Sequence, residues 1–543
     1  MNNGKICVSV CAETADELIE QIKCAEDLAD VIEIRFDCLE ETEFDSALQK
    51  VSELNCKRVF LATLRPKSPL AMFACPFGKD VSTEIKERAK EEIAFRRNGW
   101  CKISSLKNIG FVDFETDIQN EFFTFDKNPV YFFSKKVDKK LKTKQIIISE
   151  HFLDSIPENL VQTYEGMKST DEDGIKSDII KIAAQANDIT DAISIWKLLK
   201  KAKSGNQQII PIAMGEAGKW TRILGLAHGA FMTYAALDAG RETAPGQVSA
   251  RDLIEVYRVK DLNEDTEVYG ILGGNTSVSM SPYIHNEAFK FHNLNAVFIP
   301  LQVHDLDGFM RRMVKPETHE ITLNFQGFAV TIPHKQSIIK HLDSIDETAK
   351  KIGAVNTVKI IDGKLHGFNT DAHGFIEPLI NSYGDLTNAK VAVLGAGGAA
   401  RACLYALQKA GAKVTIFARD PQKAKSLAEE FEVELKALGT QHSALSTYND
   451  FDILVNATPL GMKGIAEAET PAFGEQFKDI KLVYDLVYNP FQTRLMKEAD
   501  KFHVPKIGGL AMLIAQAMEQ QKIWTGKDAP MQEMSRAVLK RLS

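Results

Sequence analysis

Residues 178–183 read DIIKIA, a short apolar run rich in isoleucine with one lysine, Lys181, in its middle. A run of this length and composition predicts a buried strand. The segment that follows, DITDAISIWKLLKKAKSG (188–205), repeats its apolar residues at helical spacing, and then comes a second β-branched run, QIIPIAM (208–214). Strand, helix and strand in that order make a parallel β-α-β unit. Working outward, runs of the same kind recur near 5–12, 31–37, 58–65, 109–116, 145–151 and 230–237. Most gaps between them carry helical periodicity, as in TADELIEQIKCAEDLAD (14–30). Eight such units predict an α/β chain that opens with a (β/α)8 TIM barrel over residues 1–258.

A charged segment, VKDLNEDTE (259–267), reads as a connector, and a new strand, VYGILGG, begins at 268. Two further α/β regions follow, 268–384 and 385–507, and the stretch 508–543 is helical. The 543 residues are 44% hydrophobic and 26% charged with a net charge of −7, the composition of a folded globular chain. Without a basic excess, neither nucleic acid nor an anionic membrane is an expected partner. Of the eight cysteines, seven lie in the first 101 residues; none forms a CxxC pair and no histidine follows at zinc-ligand spacing, so the expectation is reduced thiols and no metal. The N-terminal apolar stretch is short and soon acidic, and no apolar run is long enough to span a bilayer. The expected location is the cytoplasm, or a plastid if this is a mature organellar form.

In barrels, reactive groups sit at the C-terminal ends of strands. Polar residues interrupt the apolar runs there. Glu33 and Arg35 lie two apart on the second run and share a face. Arg65 ends the third run, Glu115 the fourth and His151 the fifth; Lys181 lies within the sixth, and Arg222 and Gln247 follow the seventh and eighth. Burial disfavours an ammonium, so an inward lysine can supply a free amine to attack a ketone. The competing reading is an inward lysine paired to a carboxylate. His151 is placed for proton transfer, and Glu115 to orient its imidazole.

The pieces EIRFD (33–37), ATLRP (62–66), VDFET (112–116), SEH (149–151), DIIKIA, MGEAGKWTRI (214–223) and TAPGQ (243–247) together resemble type I 3-dehydroquinate dehydratase, over about residues 5–257. The resemblance implies Lys181 as the Schiff-base lysine, His151 as general acid and base, and Glu115 as its partner. It implies Glu33, Arg35, Arg65, Arg222, Thr243 and Gln247 as substrate-binding residues. Thr243 stands where Ser is expected. KSPLAMFACPFGKD (67–80) replaces an expected acidic residue and Gly pair, and Phe152 and Leu153 replace an expected polar residue and Phe.

In the second half, VAVLGAGGAARA (391–402) has Gly395, Gly397 and Ala400 at GxGxxG/A spacing between a strand and a helix, which predicts a dinucleotide-binding turn. The next strand, AKVTIFARD (412–420), ends in Ala418 and Arg419 with Lys423 nearby. Cations there suit a 2′-phosphate and favour NADP(H); Asp420 leaves NAD open. Upstream, SVSMSPYIHN (277–286), FAVTIPHK (328–335), GAVNT (353–357) and GFNTDAHG (367–374) concentrate polar groups. Lys335 and Asp371 suit a proton donor held by a carboxylate, and Ser279, Ser281, Thr331, Asn356 and Gln516 suit a polyhydroxylated ring.

With NATPLGM (456–462), DLVYNPFQTRL (485–495) and GGLAMLIAQA (508–517), these motifs resemble shikimate dehydrogenase over about 268–543. The resemblance implies a substrate-binding domain (268–384) completed by the C-terminal helices 508–543 and a Rossmann NADP domain (385–507) between them, with Lys335 and Asp371 as the catalytic pair. Ser279, Ser281, Thr331, Asn356, Asp371, Tyr488 and Gln516 would contact shikimate. Gly395, Ala396, Gly397, Gly398, Ala399, Arg419, Lys423, Thr458, Met462 and Gly509 would lie along the cofactor. Asn275 and Val278 stand where Pro and His are expected.

The two families catalyse successive steps, and their fusion resembles the bifunctional enzymes of plants and some bacteria. The expected function is dehydration of 3-dehydroquinate to 3-dehydroshikimate, then reduction to shikimate with NADPH. The alternatives are a quinate- or shikimate-utilising catabolic enzyme, and a non-catalytic regulator resembling fungal quinate repressors. Retention of Lys181, His151, Lys335 and Asp371 separates an enzyme from the regulator. The sequence leaves the oligomeric state open.

Overall fold

The computed structural model describes residues 2–65, 95–96, 98–115, 143–168, 177–438, 448 and 450–542. The segment 67–80, where the sequence departs from its family, lies outside them. Two compact units divide the chain, the first built mainly on Met1–Thr266 and the second mainly on Glu267–Pro300 and Leu323–Ser543.

The first unit carries β1 (Lys5–Val10), β2 (Val31–Arg35), β3 (Val59–Thr63), β4 (Ile109–Glu115), β5 (Gln145–Phe152), β6 (Ile179–Gln185), β7 (Gln208–Met214), β8 (Met232–Ala236) and the short β9 (Val248–Ser249). They form one parallel sheet in the order β7-β6-β5-β4-β3-β2-β1-β8-β9. The sheet curls, and a backbone bond from Phe231 N–H to Ile209 O (2.9 Å) ties the start of β8 to β7. Successive residues of a strand point to opposite faces. One set of alternate residues, including Cys7, Leu61, Phe111, Ile147, Ile179 and Met232, packs together as a core. Lys181 lies two residues after Ile179 and so shares its inward parity, nearer the C-terminal end of β6.

Cys11 and Cys38 are joined in a disulfide with their Cα atoms 5.5 Å apart. This corrects the expectation of reduced thiols for these two residues. Cys11 directly follows β1 and Cys38 lies just after β2, and the parallel pairing of the two strands brings them together across 27 residues of sequence. Cys7 and Cys403 are buried free thiols.

The second unit holds two sheets. The first contains β10 (Glu267–Gly273), β11 (Ala296–Gln302), β12 (Phe325–Val330), β13 (Ser344–Ile345), β14 (Thr357–Ile361) and β15 (Lys364–Phe368), in the order β11-β10-β12-β14-β15-β13. It is mixed: β10 pairs parallel with β12, and β14 antiparallel with β12 and β15. The second contains β16 (Lys390–Leu394), β17 (Lys413–Ala418), β18 (Glu434–Ala437), β19 (Ile453–Asn456), β20 (Leu482–Asp485) and β21 (Lys506–Ile507), all parallel, in the order β18-β17-β16-β19-β20-β21. This is the doubly wound order, and its direction reverses between β16 and β19, where such sheets open a ligand crevice.

The helix Gly509–Thr525 runs back from the second sheet to the first. Trp524 Nε1–H donates to Val358 O (2.9 Å) and Gln520 Nε2–H to Thr357 Oγ1 (3.0 Å). The helix Met531–Leu542 buries Met534 and Val538 against Ile284, Ala288, Ile514 and Ala517.

Candidate active sites

At the C-terminal ends of the barrel strands, charged groups lie in pairs. Lys181 Nζ donates to Asp113 Oδ2 at 2.6 Å, with both side chains buried, and lies 4.3 Å from the centre of the Tyr234 ring. The sequence reading left a free amine and a lysine–carboxylate pair both open; the resting side chain is paired. Asp113 lies inside β4, so the pattern of charges at the ends of apolar runs does not pick it out. Its signal was its place two residues before Glu115, hence on the same face of β4.

His151 lies between Glu115 and Arg65. Its Nδ1 is 3.2 Å from Glu115 Oε1, and its Nε2 is 3.0 Å from Arg65 Nη2. A guanidinium can only donate, so Nε2 is the acceptor and Nδ1 carries the hydrogen. Burial, then Arg65 and Lys181, push the His151 pKa well below its usual value. The ring is therefore a neutral base with its lone pair on Nε2.

Glu33 accepts from Ser9 Oγ (2.5 Å) and Thr63 Oγ1 (2.8 Å). Burial opposes its charge, but Lys181, Arg35, Arg65 and the Ser9 bond outweigh it and hold the pKa at about 2. Arg35 is paired twice to Asp37, at 3.0 and 2.6 Å. Arg222 differs. It donates only to the carbonyls of Tyr234 (3.4 Å) and Pro245 (3.3 Å), and no carboxylate pairs with it among the described residues. Burial brings its pKa down to about 10, so it remains a cation in search of an anion. Thr243 and Gln247 bond to each other, with Gln247 Nε2–H on Thr243 Oγ1 at 3.1 Å.

In the second unit, Lys335 Nζ donates to Asp371 Oδ2 at 2.5 Å. Asp371 Oδ1 accepts from Asn356 Nδ2 (2.8 Å), and Asn356 Oδ1 accepts from the backbone of Thr370 (2.8 Å). The carboxylate is thus fixed from the loop before β14. Gly374, one turn into the helix Asp371–Tyr383, gives the close approach that brings Gln516 alongside: a Cβ there would lie 2.6 Å from that of Gln516. Thr331 sits against Gly273, where a Cβ would meet its methyl at 2.4 Å. Ser281 N–H donates to Ser279 Oγ (3.2 Å), so the two serines bond to each other and not to the lysine pair. Asn275 Oδ1 closes their loop by accepting from Ser277 N (3.1 Å) and Oγ (2.7 Å), while Val278 is exposed. Tyr488 lines a cavity of about 580 Å³ with Gly509, Phe491 and Met518, apart from Lys335.

The glycine turn fits a dinucleotide. Gly395 has φ of 110°, which favours glycine, and a Cβ there would lie 2.8 Å from Ala457 O. At Gly397 a Cβ would meet nothing within 4 Å, so the surface above the turn is open. Gly398, with Ala399 and Ala400, starts the helix Gly398–Lys409, whose N-terminal amides suit a phosphate. Gly398 also faces the Lys335–Asp371 pair, since a Cβ there would lie 3.9 Å from Lys335 Cδ. Thr458 and the loop to Met462 are pinned by Asn456, which accepts from Thr458 N at 3.0 Å and donates to Asp485 at 2.9 Å. Gly509 packs so tightly on Leu486 O that a Cβ would come within 2.3 Å. Arg419 is exposed beyond β17. Asp420 is not free: it caps the helix Pro421–Glu430 by accepting from Lys423 N at 3.3 Å, and Lys423 Nζ lies 3.7 Å from it.

A curled parallel barrel with a buried lysine, followed by a doubly wound unit with a lysine–carboxylate pair beside its glycine turn, defines a lyase joined to a dinucleotide-linked oxidoreductase. The comparisons agree. Residues 6–264 match type I 3-dehydroquinase, 271–358 the shikimate dehydrogenase substrate binding domain, 379–486 shikimate/quinate 5-dehydrogenase and 509–539 the shikimate 5′-dehydrogenase C-terminal domain. The chain is 33% identical to the chloroplastic bifunctional 3-dehydroquinate dehydratase/shikimate dehydrogenase of Arabidopsis thaliana, over 97% of this chain and 83% of that one. Its second half is 39% identical to the shikimate dehydrogenase (NADP(+)) of Methanocaldococcus jannaschii, over 52% of this chain and 99% of that one. A crystal structure of the Thermus thermophilus shikimate 5-dehydrogenase with NADP(H) and shikimate is 33% identical over 50% of this chain and 98% of that one, with a TM-score of 0.44. The chain belongs to the bifunctional 3-dehydroquinate dehydratase/shikimate dehydrogenase family. It is a shikimate-pathway enzyme with a lyase and an oxidoreductase activity in one polypeptide. No helix among the described residues is long and apolar enough to cross a membrane.

Proposed function

We propose that residues 1–258 dehydrate 3-dehydroquinate through an imine on Lys181, and that residues 268–543 reduce the resulting 3-dehydroshikimate to shikimate with NADPH. The observation that carries the first half is the neutral His151 beside a buried lysine: its unprotonated Nε2, which faces Arg65, is a base, and Glu115 lies 3.2 Å from its Nδ1 to orient it. Arg222, a buried cation with no carboxylate partner among the described residues, takes the substrate carboxylate. Glu33, Arg35, Arg65, Thr243 and Gln247 hold the remaining polar groups. An iminium at the ketone acidifies the neighbouring C–H. His151 removes that proton, and the enamine then expels the β-hydroxyl as water, with the protonated imidazole as acid.

In the second half, Lys335 protonates the carbonyl oxygen as the carbon becomes an alcohol. Asp371, held by Asn356, keeps the ammonium aimed. When bound, the reduced nicotinamide supplies the hydride. Ser279, Ser281, Thr331, Asn356, Tyr488 and Gln516 contact the ring substituents. Residues 385–507 hold the cofactor through Gly395–Ala399, Thr458 and Met462, with Gly509 joining them from the start of the helix that follows. Arg419 and Lys423 read the 2′-phosphate, because the neighbouring Asp420 is committed to a helix cap.

Purified protein given 3-dehydroquinate is expected to develop enone absorbance without NADPH, and to form shikimate only with it. Borohydride added with 3-dehydroquinate is expected to leave a mass adduct on Lys181. A folded Lys181→Ala variant that dehydrates normally would remove the imine from this scheme. Oxidation of quinate in preference to shikimate would favour the catabolic alternative, and binding without turnover the regulator.

A further inference from the structure

Lys181 Nζ, 2% exposed, rests with Asp113 Oδ2 at 2.6 Å and the Tyr234 ring at 4.3 Å. Both neighbours favour the ammonium form, which has no lone pair and cannot attack a carbonyl carbon. Imine formation therefore needs a base within reach of Nζ.

Among the described residues, the titratable groups around the pair are Cys7 on β1, Glu33 on β2, Arg65 after β3, Glu115 on β4, His151 on β5 and Tyr234 on β8. Cys7 and Tyr234 are pushed up by burial and already hold their protons. Glu33 has both oxygens on the hydroxyls of Ser9 and Thr63 and its pKa held at about 2, which makes it a poor acceptor. Glu115 Oε1 lies within 3.3 Å of Arg65 Nε and 3.2 Å of His151 Nδ1, and His151 Nε2 faces Arg65. Asp113 is the group bonded to Nζ itself. Its second oxygen, Oδ1, is buried with no hydrogen-bond partner among the described residues.

We propose that Asp113 is a catalytic residue of the dehydratase site, accepting the proton that frees the Lys181 amine and returning it to complete the imine. This rests on the Schiff-base reading of Lys181. The ammonium gives one N–H proton to Asp113, leaving amine and carboxylic acid. The nitrogen lone pair forms the C–N bond, the carbonyl π pair moves to oxygen, and a proton passes from nitrogen to that oxygen. Asp113 then protonates the carbinolamine hydroxyl, the C–O bond breaks and water leaves. The lysine emerges as a protonated iminium, with Asp113 again a carboxylate as its counter-ion. One ammonium and one ketone have become one iminium and one water, and charge is conserved.

The test is the rate at which borohydride-trappable adduct appears on Lys181 after rapid mixing with 3-dehydroquinate, followed by peptide mass from pH 6 to 9. With an internal acceptor, the wild-type rate is expected to be flat across that range. Asp113→Asn cannot accept the proton, so its rate is expected to fall roughly 100-fold at pH 7 and to climb about tenfold per pH unit as solvent takes over. KM, which Arg222 carries, should stay within a few-fold. An Asp113→Asn variant that forms adduct as fast as the wild type, with a flat profile, overturns the proposal. So does a wild-type rate that itself climbs tenfold per unit, which keeps the test decisive where the amide variant does not fold. Asp113→Glu keeps a carboxylate and is expected to keep the flat profile at reduced rate; a steep profile there also overturns it. If the wild type never yields a Lys181 adduct, the Schiff-base reading fails instead.

Discussion

Arg222 has two long carbonyl contacts, a buried Nε without a hydrogen-bond partner and no carboxylate among the described residues, so its charge is short of ligands. A hydrogen bond to a charged group contributes about 1.5–3 kcal/mol. Arg222→Gln should therefore raise the dehydratase KM by roughly 10- to 150-fold with kcat little changed. Steady-state kinetics check this, and a loss confined to kcat would move the carboxylate elsewhere. Arg419→Ala should raise the KM for NADPH at least tenfold and leave that for NADH nearly untouched, since only one carries the extra phosphate. An equal effect on both would mean Arg419 does not read it. At this scale the sequence was informative where a charge interrupts or ends an apolar run, as Lys181 and His151 do; Arg222 and Lys335 stood out through the motifs around them. It was weak on partners. Thr63 meets Glu33 only because β3 pairs with β2, and Asp113 meets Lys181 only because the sheet curls β4 towards β6 across β5.

Among the elements, the eight barrel strands fell where the apolar runs were, because a parallel strand covered on both faces reads as continuous hydrophobic sequence. Proximity between strand ends was not legible, and the disulfide shows why. Cys11 and Cys38 look unrelated until β1 and β2 pair. Digestion without reductant should recover their two peptides linked. Reduction should destabilise the barrel by on the order of 3 kcal/mol, the loop entropy released for a closure of this length, read as a drop in its urea midpoint. A second element-level prediction concerns His285, on the helix Ser281–Phe291. It is buried, donates from Nε2 to Gln520 Oε1 (3.1 Å) and accepts at Nδ1 from Gln521 (3.0 Å). Burial, opposed by Gln520, lowers its pKa to about 3. Between about 3 and the ordinary value of 6.5 the unfolded chain binds the extra proton, so stability rises with pH across that window and falls on acidification. From pH 7 to 4.5 the second unit should lose on the order of 2–3 kcal/mol through this group. His285→Asn should show a smaller acid loss in denaturant titrations; an unchanged loss would place the sensitivity elsewhere.

Across the whole molecule, composition and motif order were enough to read a barrel followed by a two-sheet unit, since each motif carries its own local signature. The departure of the chain's last helices from the sheet that precedes them was legible only through the family resemblance. No periodicity tells the helix Gly509–Thr525 to cross back. The structure shows what it does there: Trp524 and Gln520 satisfy a carbonyl and a hydroxyl of β14, and Gln516 packs on Gly374, one turn into the helix that Asp371 begins. A chain cut before residue 509 should therefore keep dehydratase activity and lose shikimate formation, measured on the same preparation.

That return also sets an order of events on the ribosome. The barrel strands are all made before residue 250 and can close at once. The sheet of β10–β15 is made next, yet Val358 O lacks its indole and the face of Ile284 and Ala288 lacks its cover until residues 524–538 emerge. At about 5–20 residues per second that interval lasts on the order of ten to thirty seconds. A nascent chain should thus acquire its two activities in the sequence in which the pathway uses them, with the reductase half dependent meanwhile on chaperone shelter.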